Sequence, residues 1–276
     1  MHGAQLDSGQ GINMEEVIYW MLDEDMPGLA IEPPAYLAVE ELARLADMRF
    51  PKRRTEWLHG RRTAKKLLQR CHPVCSTLPL SEIIIKNELT GMPYPCRQNG
   101  GQMTGCLSIS HRDLIAVSAL TLVPFLRVGV DLEKVEPRQA SFVADFFTPM
   151  EFERVHILPP DDRPEMITLI WSAKEAVLKA LGQGLRQDTR TVEITILDQD
   201  EYCIGTQGWS RFEVTTRLTP GKVWHGWWRD YKNYVLTVAA LCYNDSEKNS
   251  HPEVKCLAES NYKIKPRYFT AKHSSN

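Results

Sequence analysis

The chain has 276 residues, 43% of them hydrophobic and 25% charged, an ordinary balance for a water-soluble globular protein. Its formal net charge of −2 gives no global attraction to nucleic acid or to an anionic membrane. No apolar run approaches the roughly 18 residues that would span a bilayer. The length allows one large domain or two of about a hundred residues each. The first residues lack a basic stretch followed by an apolar run, so no signal peptide is expected. Seven cysteines, an odd number in no regular framework, suit a reducing cytoplasm. Cys71-His72-Pro73-Val74-Cys75 has no second Cys/His pair to complete a zinc site, and none is expected.

Residues 1–14 are polar, Gly-rich and aperiodic, and read as a loose tail. Glu15 to Asp23 reads as a strand, and Tyr36 to Met48 has apolar residues at helical spacing. From Lys52 to Arg70 a helical stretch is strongly basic, with Glu56 its one acid. Arg54 and Arg61, seven apart, share a face. That face is either a solvated surface or an anion site, because guanidinium groups pair with phosphate oxygens through two parallel hydrogen bonds.

Residues 82–86 form a short β-branched strand. Leu89 to Pro95 and Asn99-Gly100-Gly101 read as loops. Leu107-Ser108-Ile109-Ser110-His111 alternates as a strand, and Ile115 to Val123 is another, so His111 lies near the turn between them. A lone histidine there is either structural or faces a cleft.

Val128-Gly129-Val130-Asp131-Leu132-Glu133 is a strand with two acids two residues apart, hence on one face. Such carboxylates repel unless a cation lies between them, and hard oxygen donors suit Mg²⁺. Thr148-Pro149-Met150-Glu151 is a capping box that starts a helix. After the 158–165 loop comes a helix through Trp171-Ser172-Ala173-Lys174-Glu175-Ala176-Val177-Leu178-Lys179, stopped by Gly182 and Gly184. Ile170, Ala173, Val177 and Leu181 form its buried face; Trp171, Glu175 and Lys179 share another. The charges are either a surface Lys/Glu ladder or part of a site. Val192–Leu197, Phe212–Arg217, Val223–Trp228 and Tyr234–Leu241 read as strands. Residues 244–276 read as a polar, lysine-rich tail, with a short structured piece expected near Tyr262 to Phe269.

Three blocks stand in order: Ser108-Ile109-Ser110-His111, Gly129-Val130-Asp131-Leu132-Glu133 and Trp171-Ser-Ala-Lys-Glu-Ala-Val-Leu-Lys179. Together they resemble the 4′-phosphopantetheinyl transferase superfamily, in its single-chain Sfp type. Arg54-Thr-Glu-Trp-Leu-His-Gly-Arg61 resembles that family's arginine-rich element, and Gly91-Met92-Pro93 its Gly-x-Pro loop. The resemblance covers about residues 35 to 245. It implies an α+β fold with a pseudo-two-fold arrangement of two similar halves, each a small antiparallel sheet packed on a long helix. These would span 15–125 and 126–243. No sequence repeat between the halves is evident, so this symmetry rests on the resemblance alone.

The implied activity moves the phosphopantetheine arm of coenzyme A to a serine of an apo acyl or peptidyl carrier protein, with Mg²⁺. Residue by residue, the resemblance implies Asp131, Glu133 and Glu175 as metal ligands. It implies Ser110, His111, Lys174, Lys179, Arg54 and Arg61 as coenzyme A contacts, with Arg53 or Arg62 as alternatives to the last two. Glu175, Lys174 and His111 would carry the chemistry. Thr90 stands where some relatives have a basic residue, with Lys86 a possible substitute. A monomeric cytoplasmic enzyme acting on secondary-metabolism carriers, with no nucleic-acid or membrane partner, is expected by analogy. The rival readings are a Mg²⁺-dependent nuclease or phosphohydrolase, for which Trp224, Trp227, Trp228 and Arg229 would supply an aromatic platform, and a non-catalytic coenzyme A-binding module.

Overall fold

A computed structural model describes residues 17–24, 34–98, 100–197, 208–243 and 252–256. The expected tail at 1–14, the first two residues of the first strand and the piece at 262–269 lie outside the described residues. The class is α+β with antiparallel pairing dominant. The first part of the chain gives β1 (Val17–Glu24), α1 (Val39–Ala46), α2 (Pro51–Cys71), β2 (Ile83–Asn87), β3 (Pro93–Arg97), β4 (Cys106–Arg112) and β5 (Ile115–Thr121). The second gives β6 (Leu126–Lys134), α3 (Ala140–Phe146), α4 (Pro149–His156), α5 (Arg163–Ala180), β7 (Val192–Ile196), β8 (Ser210–Thr216), β9 (Val223–Tyr231), β10 (Tyr234–Cys242) and β11 (Glu253–Cys256).

One sheet has the order β11-β1-β5-β4, another β6-β10-β9-β8-β7, and β2-β3 is a separate hairpin. Two segments depart from the sequence reading. Pro93–Arg97, expected as loop, is a strand. Its two prolines are tolerated because β3 has only one neighbour in its two-stranded sheet. Glu253–Cys256, inside the expected polar tail, pairs in parallel with β1 and so returns the chain to the first sheet.

The two large sheets meet where β4 lies beside β6, and side chains make the join. The N–H groups of Val128, Val130 and Leu132 donate to Cys106 Sγ (3.4 Å), Ser108 Oγ (3.0 Å) and Ser110 Oγ (3.3 Å). Alternate residues of β4 thus satisfy alternate amides of an edge that would otherwise be unpaired. The period-two spacing of Cys106, Ser108 and Ser110 produces this ladder.

The same buried network occurs twice along the chain. Glu41, in the first turn of α1, accepts from the Ala38 N–H (3.1 Å) and the Ile85 N–H (3.2 Å). It pairs with Lys65 of α2, which donates to Leu80 O (3.1 Å). In its second occurrence Glu151, in the first turn of α4, accepts from the Thr148 N–H (2.8 Å) and the Ile194 N–H (2.8 Å). It pairs with Lys174 of α5 (2.7 Å), which donates to Thr189 O (3.0 Å). In both cases the lysine and its carbonyl partner are 15 residues apart, and both lysines are fully buried. Each network rivets a long helix to a short helix and a strand. Broken, it would leave a buried charge unpaired, at a cost of about 3–5 kcal/mol.

Candidate active site

The site forms where α5 crosses β6. An added Cβ on Gly129 would lie 1.8 Å from Ala176 O and 2.7 Å from Ala180 N. Only glycine lets the helix backbone lie this close to the strand. Lys179, one turn from the crossing, therefore reaches Asp131 Oδ1 (2.7 Å), Ser110 Oγ (3.0 Å) and Val130 O (3.2 Å). Ser110 Oγ donates to Asp131 Oδ1 at 2.8 Å while accepting from Leu132 N–H and Lys179, so its capacity is full.

Asp131 is 3% exposed, and its second oxygen, Oδ2, is buried with no hydrogen-bond partner. Glu175 is half-buried. Its carboxyl is pushed up to about 7 by burial and by the charges of Asp131 and Glu133, against the pull of Lys179. Glu133 is also raised, by burial first and then by Asp131. Arg112 (3.5 Å) and Arg138 (3.3 Å) hold its Oε2 and oppose that rise. Burial pulls Lys179 down, but Asp131, Glu175 and Glu133 outweigh it and hold the ammonium above its ordinary value.

Three carboxylates thus share one half-dry region with one ammonium. Among the described residues no three His, Cys, Asp or Glu side chains close to metal-ligand spacing as they stand. The unpartnered buried oxygen of Asp131 and the raised Glu175 nonetheless mark carboxylate oxygens that no cation of the described residues satisfies, and these hard donors fit Mg²⁺.

The other expected residues fall into two groups. His111 lies where β4 meets α2, whereas Arg61 points from α2 toward the end of β2. His111 lies against Gly60, where an added Cβ would be 3.6 Å from its ring, and its Nδ1 is 3.9 Å from Glu56 Oε2. Burial lowers its pKa against the attraction of Glu56, and Lys179 lowers it further. Arg61 is buried, stacks on Trp57 at 5.1 Å and donates to Asn87 Oδ1 at 3.0 Å. Burial pushes its guanidinium down to about 10; Glu41 opposes this and Arg44 adds to it.

Arg54 instead donates to Leu45 O (3.0 Å), closing the end of α1. Arg62 turns to the far side of α2, onto Asp23 (3.0 Å). Arg53 is exposed, Lys86 pairs with Glu40 (3.3 Å), and Thr90 Oγ1 donates to Glu88 (3.3 Å).

Lys174 requires a correction. It was expected beside the pyrophosphate as a catalytic and coenzyme A-binding residue. It is fully buried instead, bound to Glu151, Thr189 O and Val192 O. One step along a helix turns a side chain by about 100°, so Glu175 faces the cleft while Lys174 faces α4 and β7. Trp171, on the same face of α5 as Glu175, packs edge-on to Phe142 (4.9 Å) and Phe146 (5.2 Å) of α3. Sequence reasoning missed Arg112 and Arg138, the two guanidinium groups on Glu133. The basic residue that follows His111 was the available signal for the first.

This crossing of β6 and α5 lies in a segment that is similar to known proteins. Residues 127–239 match the family model of the 4′-phosphopantetheinyl transferase superfamily. The chain is 26% identical over 205 residues to the 4′-phosphopantetheinyl transferase HetI of Nostoc, covering 72% of this chain and 83% of that one. It is 28% identical over 97 residues to a 4′-phosphopantetheinyl transferase of Bacillus subtilis, covering 35% and 42% respectively. A solved holo-(acyl-carrier-protein) synthase of Bacillus anthracis, in complex with CoA (3′,5′-ADP), aligns with a TM-score of 0.35 at 18% identity, over 43% of this chain and 96% of that one. The chain is thus similar to the 4′-phosphopantetheinyl transferase superfamily, by the family model over residues 127–239 and by its curated relatives.

Proposed function

We propose that this protein transfers the 4′-phosphopantetheine arm of coenzyme A to a serine of an apo acyl or peptidyl carrier protein, releasing adenosine 3′,5′-bisphosphate. The observation that carries the reading is the cation-deficient cluster at Asp131, with Lys179 and the raised Glu175 beside it. Asp131, Glu175 and the free oxygen of Glu133 would hold Mg²⁺, which supplies charge neutralisation to the pyrophosphate oxygens.

The chain's own groups do the rest. His111 donates to the oxygens of the transferring phosphoryl group as charge shifts onto the leaving phosphate, and Lys179, its three donors held by Asp131, Ser110 and Val130 O, supplies positive charge beside it. Glu175 accepts the proton of the attacking serine hydroxyl, a role suited to a carboxyl tuned close to the working pH. A bond forms between the serine oxygen and the β-phosphorus, and the bond from that phosphorus to the bridging oxygen breaks. The two halves, 15–125 and 126–243, would present the coenzyme to this site from opposite sides of the cleft, and the repeated Glu–Lys network favours that division.

The nuclease reading is less well supported. Trp227 and Trp228 are core residues, 1% and 3% exposed, so they form no aromatic platform for bases. Among the described residues no helix is long and apolar enough to cross a membrane.

The test is chromatographic. The protein, coenzyme A, Mg²⁺ and a panel of apo carriers, including secondary-metabolism carriers, are incubated and adenosine 3′,5′-bisphosphate is quantified. Release that requires both a carrier and the metal is expected. Release without a carrier would mean hydrolysis and would overturn the transfer reading.

A further inference from the structure

From Lys52 to Arg70 the basic helix α2 carries one acid, Glu56, and no step of the transfer uses it. Glu56 is half-buried and is directed at His111. Its Oε2 lies 3.9 Å from His111 Nδ1, while Lys52, one turn back and exposed, lies 3.8 Å from its Oε1.

The packing of α2 on β4 sets this contact. An added Cβ on Gly60 would be 3.0 Å from Ile109 Cγ2 and 3.6 Å from His111 Cδ2, so the helix lies close to the strand at this turn. Glu56 is one turn upstream of Gly60 and meets the ring at its Nδ1 edge. Among the described residues no group bonds to His111 Nε2, and 38% of the side chain is exposed. The ring is held at one nitrogen by a carboxylate and is open at the other.

A neutral imidazole has one N–H. When that proton sits on Nδ1, facing a carboxylate, Nε2 holds a lone pair and cannot donate. Donation from Nε2 to a phosphoryl oxygen then requires the imidazolium. Burial opposes that form, and so does the ammonium of Lys179 on α5. Glu56 on α2 is the strongest charge in its favour, with Asp131 on β6 after it.

We propose that Glu56 is a positioning residue for the transfer, holding His111 by Nδ1 as the protonated ring that donates through Nε2 to the transferring phosphoryl group. The proposal rests on the transferase reading. Glu56 acts through His111 and touches no substrate. The 3.9 Å contact tightens as the phosphate draws the ring, as catalytic contacts do on substrate binding.

The test pairs a titration with kinetics. The His111 ring resonance, assigned by its loss in His111→Gln, is followed against pH by NMR in the metal-free wild type, Glu56→Gln and Glu56→Asp. Release of the bisphosphate with an apo carrier is measured over the same pH range, and thermal unfolding checks the fold of each variant. His111 should titrate about half a pH unit or more lower in Glu56→Gln than in the wild type, with Glu56→Asp between them. Turnover of Glu56→Gln should fall about tenfold near pH 8 and by less as the pH is lowered, with Glu56→Asp recovering part of it. Added to His111→Gln, the same substitution should change nothing further. An unchanged His111 titration, or a loss of turnover that is equal at every pH or persists without His111, would mean that Glu56 only staples α2 to β4. Either result would overturn the proposal, as would unimpaired turnover. If no carrier yields bisphosphate with the wild type, the transferase reading itself fails, and the titration still decides whether Glu56 keeps the ring protonated.

Discussion

Replacing Glu175 with glutamine should stabilise the metal-free protein near pH 8 and abolish its stabilisation by Mg²⁺. The Glu175 carboxyl is raised from an ordinary 4.5 to about 7, because burial and the charges of Asp131 and Glu133 penalise its ionised form. A folded-state pKa above the unfolded value contributes stability that is complete below about pH 4.5 and is lost as pH rises to about 7. At about 1.4 kcal/mol per tenfold change in proton affinity the ceiling is near 3 kcal/mol, and solvent screening of a half-buried group brings it to about 2 kcal/mol. For a chain of this size that is about 4–8 °C in melting temperature. Glutamine keeps the shape and removes the charge.

The assay is thermal unfolding at about pH 5 and about pH 8, with and without excess Mg²⁺, for both proteins. Metal-free wild type should lose stability across that interval more steeply than Glu175→Gln. Mg²⁺ should restore the wild type at about pH 8, by about 2.7 kcal/mol at a hundredfold excess over its dissociation constant, and leave the variant unmoved. Identical pH dependence of the two metal-free proteins would refute the electrostatic reasoning. Equal Mg²⁺ stabilisation of both would remove Glu175 from the metal site.

Gly129→Ala drives a Cβ to 1.8 Å from Ala176 O, so α5 must lift off β6; a destabilisation of about 3 kcal/mol or more is expected by denaturant titration, with Mg²⁺ binding lost. Lys174→Met leaves Glu151 buried and unpaired and should cost about 3–5 kcal/mol, only part of it regained in the double variant Lys174→Met/Glu151→Leu, because the Thr148 and Ile194 amides then lose their acceptor. If instead Lys174→Met is as stable as the wild type and only turnover falls, the lysine acts in the cleft after all. Ser110→Ala strips an acceptor from the Leu132 N–H and a donor from Asp131; chemical denaturation should show a loss of about 1–3 kcal/mol.

Much of the site was legible because its residues break local rules. Two acids on one face of an otherwise buried strand, and a Glu/Lys pair on a mostly buried helix, need a cation or each other, and Asp131, Glu175 and Lys179 do meet. The capping box at Thr148 was equally readable, and it forms. Lys174 was misplaced because a sequence motif does not say which way each member of an adjacent pair points, and the capping-box acid Glu151 claimed it.

The repeated network escaped notice for a related reason. Its first copy has Ala38 where the second has Thr148, so the capping signature is silent, and the shared elements are backbone amides that leave no trace in side-chain identity. The join between β4 and β6 uses the hydroxyls of Ser108 and Ser110, which read as ordinary strand residues until the neighbouring edge is seen. Strand β11 is four residues long and depends on β1 for its pairing, which no local pattern announces.

Intact-mass spectrometry of apo carrier proteins tests the central claim most directly, after incubation with coenzyme A, Mg²⁺ and either the wild type or Glu175→Gln. The account predicts that at least one carrier gains the mass of a single phosphopantetheine arm with the wild type, that chelation of the metal abolishes the gain, and that Glu175→Gln slows it at least a hundredfold, equivalent to about 3 kcal/mol of transition-state stabilisation. A carrier modified at the same rate by the variant, or by the wild type without metal, would contradict it.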